Sequence, residues 1–157
     1  MAKLTPITLR AASLTLTGSL ATVVGTVSSD NANASSGAVK LGLTTAAFVR
    51  MSYTRHASST TGRPIVAIDV SMDAPTTTPA SVANWQPVML MDASSFASGA
   101  VELYTEQQRL NPTASGTTVF GTHLVNTQGA NWMRVRLADV DGTNPGAVTA
   151  VAFGGEA

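Results

Sequence analysis

Cysteine is absent from the 157-residue chain. Disulfide bonds, cysteine-ligated zinc sites and thiol nucleophiles are therefore excluded. No apolar run approaches the roughly 18 residues that a membrane-spanning helix requires. Thr and Ser interrupt the first stretch, MAKLTPITLRAASLTLTGSLATVVG, so it has no continuous apolar core of the kind a signal peptide has. We therefore expect a soluble protein without a membrane segment or signal peptide.

Charge is scarce. Asp, Glu, Lys and Arg make up 11% of the chain, and nine basic residues balance nine acidic ones. The average content is about 25%. Nucleic-acid binders normally carry a basic excess, so that function is disfavoured. A net charge near zero promotes association. We therefore predict a surface of Ser, Thr, Ala, Asn and Gly that is largely covered by neighbouring subunits. The alternative is a compositional bias without functional meaning.

A helical period is also missing, and a period of two takes its place. In Val49–Thr54 and Val66–Met72, apolar residues alternate with polar ones, as in half-buried antiparallel strands. The chain length fits one domain. Many short strands between Gly-, Pro- and Asn-rich turns predict an all-β sandwich or barrel, and we expect a single-domain antiparallel β-sandwich. The predicted strands cover residues 4–17, 20–27, 38–44, 47–55, 64–72, 86–91, 100–105, 117–126, 131–138 and 147–153; single helical turns are predicted within 93–99 and 106–111.

The first predicted strand differs from the others. It carries Pro6 and few apolar residues, and proline is confined to edge strands and strand starts. We therefore divide the chain into an N-terminal arm or edge strand, residues 1–17, and a sandwich domain, residues 18–157. An arm would add to the sheet of a neighbouring subunit through Pro6 and Ile7. An edge strand would belong to its own sandwich.

Catalytic patterns are few. The only histidines, His56 and His123, fall in a loop and a strand, and no G-x-S-x-G turn accompanies them. Paired carboxylates such as Glu102 with Glu106, or Asp69 with Asp92, have no spacing specific to glycoside hydrolysis. We therefore predict a non-enzymatic protein without catalytic residues.

No cofactor or metal is predicted either. Phosphate-binding glycine loops and clusters of metal-ligating histidines are absent. The stretch ADVDGTNPG resembles part of a calcium loop, with Asp139 and Asp141 as its acids. The terminal bidentate Glu of such a loop is missing. A turn between two strands explains the spacing as well, and both interpretations of the stretch stay open.

Two basic clusters are candidate partner contacts. Arg55, His56 and Arg63 flank the Ser/Thr-rich loop between two predicted strands. Trp132, Arg134 and Arg136 share one face of another strand. The second set fits three roles: packing within the monomer, with the arginines paired to carboxylates on adjacent strands and Trp132 under a loop; a subunit interface; or a stacking platform for sugars or bases. Trp85 is expected to plug the core or rim beneath the Pro-rich loop before it.

Two longer stretches carry a family resemblance. VRMSYTRHASSTTGRPIVAIDVSMD and NWMRVRLADVDGTNPGAVTAV resemble a strand–TRxxSSTTGxP–strand hairpin followed by a WxRVR strand and an NPG turn. Over roughly residues 47–153 this layout is similar to the capsid decoration, or cement, proteins of tailed bacteriophages. The resemblance implies a jelly-roll-like sandwich that binds the outside of a capsid shell.

That resemblance implies further properties. The partners would be the major capsid protein and further copies of the same chain, as a dimer or trimer, with no nucleic acid and no membrane. The protein would be made in the host cytoplasm and reside on the virion surface. The alternatives are a tail, neck or baseplate component, and a carbohydrate-binding β-sandwich that uses Trp132 or Trp85. The residues predicted to contact a partner are Arg55, His56, Arg63, Trp132, Arg134, Arg136, Pro6 and Ile7.

Overall fold

Two antiparallel β-sheets make up the fold. The structure is a computed structural model and describes residues 7–8, 14–23, 36–41, 46–91, 118–127 and 129–154. These residues contain no α-helix, and a single 3₁₀ turn lies at Pro79–Ser81. The strands are β1 (Ile7–Thr8), β2 (Leu14–Thr15), β3 (Ala21–Thr22), β4 (Val39–Lys40), β5 (Ala46–Thr54), β6 (Pro64–Ser71), β7 (Gln86–Met91), β8 (Thr118–Asn126), β9 (Trp132–Asp139) and β10 (Ala147–Gly154).

The pairing divides these strands between two sheets. The first sheet has the order β1-β10-β5-β8, and β2 also pairs with β10. The second has the order β3-β9-β6-β7, and β4 also pairs with β9. Every one of these pairs is antiparallel.

One hydrophobic core lies between the sheets. Alternate residues of each long strand point into it, because successive side chains of a strand point to opposite faces. β5 contributes Val49, Met51 and Tyr53 from the first sheet, and all three are buried. The second sheet contributes Val66, Ile68, Met133, Val135 and Leu137. This shared core confirms the predicted antiparallel β-sandwich.

Six long strands lie within one residue of their predicted bounds at each end. The predicted strand 100–105 and the helical turns within 93–99 and 106–111 lie outside the described residues. The prediction of one strand over residues 4–17 is wrong. Six positions separate Thr8 from Leu14, but only three separate their partners Val151 and Val148 on β10. A continuous ladder needs equal spacing, so β1 and β2 are separate short strands at the edge of the first sheet.

Candidate interaction surfaces

The loop that joins β5 to β6, residues 55–63, is closed by its own side chains. Arg55 is 7% exposed, and its Nε donates to the carbonyl oxygen of Gly62 at 2.8 Å. The Gly62 N–H donates to Ser59 Oγ at 2.7 Å. Arg55 therefore braces the loop from inside. The sequence groups it with His56 and Arg63 beside the loop as a partner contact, but in the structure its side chain lies in the interior.

The other two residues of this basic cluster are placed differently. His56 is exposed, and its Nδ1 accepts a hydrogen bond from the backbone N–H of Ser58 at 3.1 Å. Arg63 is half-buried, and its Nε has no hydrogen-bond partner among the described residues. Its carbonyl oxygen accepts from the Val140 N–H at 3.0 Å. The cluster thus divides into one internal brace, one solvent-facing imidazole and one cation at the contact between two loops.

Asp139, at the end of β9, joins the two sheets below these loops. It is buried, and its Oδ2 accepts hydrogen bonds from the Tyr53 hydroxyl and the Gly146 N–H, both at 2.7 Å. Its Oδ1 accepts from the Asp141 N–H at 2.8 Å. Burial, and then the hydrogen bond to Asp139, raise the pKa of Tyr53 far above its usual range. The phenol is therefore a permanent donor to this carboxylate at neutral pH.

The turn that follows Asp139 is held by a second carboxylate. Asp141 Oδ1 accepts from the backbone N–H groups of Thr143 and Asn144 at 3.1 and 3.0 Å. A hydrogen bond from the Ser59 side chain, and then the Asn144 N–H, hold the pKa of Asp141 below its usual range. The described residues contain no cluster of three or more acidic, His or Cys side chains that could hold a metal ion. The carboxylates of ADVDGTNPG thus shape a turn in this structure.

The outer face of the second sheet carries the other predicted cluster. Asp69 of β6 is 1% exposed and pairs with two arginines of β9. Arg134 Nε donates to its Oδ2 at 2.6 Å, and Arg136 donates to both oxygens at 2.7 and 2.8 Å. Burial alone would raise the pKa of Asp69, but the hydrogen bonds from Arg136 and Arg134 outweigh it and hold the pKa below its usual value.

Two tryptophans flank this ion pair. The Arg134 guanidinium lies over the Trp85 ring, 4.6 Å from its centre, in a cation–π contact. Trp132 is 2% exposed, and its Nε1 donates to the Ala74 carbonyl oxygen at 3.2 Å. Trp132 therefore packs beneath the loop that joins β6 to β7. The arginine–carboxylate pairing and the covered Trp132 are the contacts that packing within the monomer predicts.

The remaining predicted positions are at the N-terminus and on β8. Ile7 pairs with Ala152 of β10, and its side chain is not described. Pro6 lies outside the described residues. His123 pairs with Val49 in the ladder between β8 and β5. The structure therefore brings the two basic clusters to different parts of the fold, an end and a face.

Comparisons with known proteins add no relative. No family model, no curated protein and no solved structure matches this chain. Among the described residues, no helix is long and apolar enough to span a membrane.

Sequence reasoning missed two details of these sites. The alternation in β5 places Tyr53 on the same face as Val49 and Met51, but it does not predict the hydrogen bond that the Tyr53 hydroxyl donates to Asp139. Trp85 was expected to plug the core or rim, whereas it supports Arg134 and donates its Nε1 to the Val82 carbonyl at 3.1 Å. The alternation in β6 does carry one usable signal: it places Asp69 on the outer face, where an adjacent strand presents its arginines.

Proposed function

We propose that the chain is a non-enzymatic structural protein of a virion, of the capsid decoration type. The strand order carries this proposal. If the short strands β1 and β2 are counted as one position, and β3 and β4 as another, the described strands fill four positions in each sheet. Between consecutive described positions the chain then crosses from one sheet to the other, except from β6 to β7. This alternation supports a jelly-roll arrangement of eight strands, an architecture used by viral capsid proteins, lectin domains and cupins.

The placement of charge supports a structural role. The four carboxylates of the described residues, Asp69, Asp73, Asp139 and Asp141, each accept hydrogen bonds from other groups of the chain. These contacts hold loops, a turn and a sheet face in place. A protein that clamps neighbouring subunits needs such a rigid scaffold, and many weak contacts around a symmetric shell add up through multivalency.

The proposed jelly-roll arrangement leaves a lectin-like function as the second candidate. A sugar-binding platform needs an aromatic ring with an open face. Trp132 is covered by a loop, and one face of Trp85 is occupied by Arg134. This geometry favours the structural role. A tail, neck or baseplate location is compatible with the same scaffold and differs from decoration in copy number.

Imaging of particles tests the proposal. An antibody raised against the purified chain would be applied to virus particles whose genome encodes the chain, with pre-immune serum as the control. Decoration predicts label over the whole capsid surface and a copy number near that of the major capsid protein or its trimers. Label confined to the tail or neck, at a few copies per particle, would identify the chain as a tail or neck component instead. Absence of the chain from purified particles would refute the virion assignment.

A further inference from the structure

We infer that the outer face of the second sheet docks a carboxylate side chain of an acidic protein partner, with Arg134 as the central contact. Two guanidinium groups surround the single carboxylate of Asp69. The side chains of Arg134 and Arg136 are 25% and 27% exposed, so one positive charge in excess sits partly desolvated on this face. A partly buried charge without a counter-ion is costly, and a second carboxylate would relieve that cost.

Arg134 has the donors that such a contact requires. A guanidinium carries five N–H groups in a planar fork. Arg134 uses its Nε–H for Asp69, and the described residues show no acceptor for its two terminal nitrogens. Asp69 at one side and the Trp85 ring below fix the plane of the group. Little side-chain entropy is therefore lost when a partner binds, which is the advantage of a preorganised arginine.

The surroundings of Arg134 fit a protein partner better than a small molecule. Apolar side chains of β7 share the outer face with it: Pro87 pairs with Asp69, and Leu90 pairs with Ala67. Pro87 is exposed, and Leu90 and Trp85 are half-buried. Arginine and tryptophan, on a face that also carries apolar side chains, are the residues that dominate protein interfaces. Small-molecule sites, by contrast, are concave.

The sign of the partner's charge follows from the whole face. Lys40 pairs with Trp132 in the ladder and therefore shares the outer face with the two arginines. Asp69 is the only carboxylate that the described strands place there. The described face thus presents three cations and one buried anion, and charge complementarity selects an acidic partner.

A peptide titration tests this inference. The probe is a short fluorescein-labelled peptide of alternating Glu and Ala, and its control has Gln in place of Glu. Fluorescence anisotropy reports binding, with Trp fluorescence as a second signal. We expect the wild-type protein to bind the Glu peptide and not the Gln peptide. Arg134→Gln should weaken binding about tenfold, the loss typical of a central interface arginine.

Arg50 offers a matched control. It is exposed on β5, on the outer face of the opposite sheet, so Arg50→Gln removes the same charge elsewhere. We expect Arg50→Gln to change the affinity by less than about twofold, because screening limits exposed charges at a distance. An equal loss of affinity in the two variants would show that only the net charge matters, and would overturn the inference. Preferential binding of a phosphoserine peptide, or of free glutarate, would overturn it as well.

A second measurement covers the case in which Arg134→Gln fails to fold. In the wild-type protein, the NMR signals of the Arg134 Nε–H and the Trp85 Nε1–H can be followed while the Glu peptide is added. We expect both signals to shift and that of the Arg50 Nε–H to stay. No shift at millimolar peptide would refute the docking role of this face.

Discussion

Replacing Tyr53 by Phe tests whether the bond between Tyr53 and Asp139 stabilises the sandwich. The substitution removes one oxygen and keeps the ring in the core. It deletes the 2.7 Å hydrogen bond to Asp139 Oδ2, while the N–H groups of Asp141 and Gly146 remain. A hydrogen bond to a charged group contributes about 1.5–3 kcal/mol. Because two backbone donors still serve the carboxylate, we expect a loss of about 2 kcal/mol.

Urea denaturation followed by Trp fluorescence would measure this loss. The slope of the free energy of unfolding against urea should stay unchanged, because the two proteins bury nearly the same surface. The melting temperature should fall by about 4–8 °C, the shift expected for a domain of this size. A double-mutant cycle with Asp139→Asn isolates the pair. A coupling energy below about 0.5 kcal/mol would show that the bond contributes little and would refute the reasoning.

The pH dependence gives an independent test of the same bond. Burial, and then Asp139, raise the pKa of Tyr53 in the folded state. In the unfolded chain the phenol ionises near pH 10. Below that pH the stabilisation is fully present; above it the unfolded chain releases a proton that the folded protein retains, so stability falls. The advantage of the wild-type protein over Tyr53→Phe should therefore shrink by about 1.4 kcal/mol per pH unit above pH 10. A constant difference would contradict the assigned pKa.

Three further contacts are tested by substitution and urea denaturation. Asp69→Asn leaves two arginines facing each other and should lower the free energy of unfolding by about 2–3 kcal/mol, below the range for fully buried pairs because the arginines are partly hydrated. Since folding lowers the pKa of Asp69, the wild type should lose this advantage below about pH 4. A pH-independent difference between the two proteins would refute the pairing. Gly146→Ala should cost about 3 kcal/mol, because its Cβ would meet the Thr54 carbonyl oxygen and lie 2.6 Å from the Tyr53 ring; a near-neutral result would show that this turn can relax. Arg55→Ala should cost about 2 kcal/mol of stability, because the hydrogen bond from Arg55 to the loop is lost. His56 is its exposed neighbour, and His56→Ala should change the stability by less than about 0.5 kcal/mol. Similar effects of the two substitutions would refute the internal role of Arg55.

The long strands could be predicted from the sequence because their physics is local. Alternation with a period of two fixes which residues face the core, and Gly-, Pro- and Asn-rich turns bound each run. Val66, Ile68 and Val70 follow that rule, and all three are buried. The short strands near the N-terminus do not, because β1 and β2 depend on the register of β10, a strand more than a hundred residues away.

The sequence predicts which residues belong to the candidate sites, but not the contacts that these residues make. The pairing of Arg134 with a carboxylate on an adjacent strand follows from alternation once strand neighbours are known. No residue pattern around Arg55 indicates that its side chain is buried. The burial results from the loop turning back, so that the Gly62 carbonyl oxygen accepts a hydrogen bond from Arg55 Nε. Such a contact depends on loop conformation, which residue patterns do not encode. The predicted partner-contact roles of His56 and Arg63 stay predictions.

The position of β10 has a consequence for folding. This strand is the last of the described strands in sequence order, and within the first sheet it pairs with β1, β2 and β5. Until β10 has been synthesised, the backbone groups on the edge of β5 that pair with β10 lack that partner. Contacts between such distant segments slow folding to the range of milliseconds to seconds. A nascent chain therefore exposes this eight-residue edge of β5 until β10 has been synthesised, and a copy truncated before Ala147 would offer that edge to other chains.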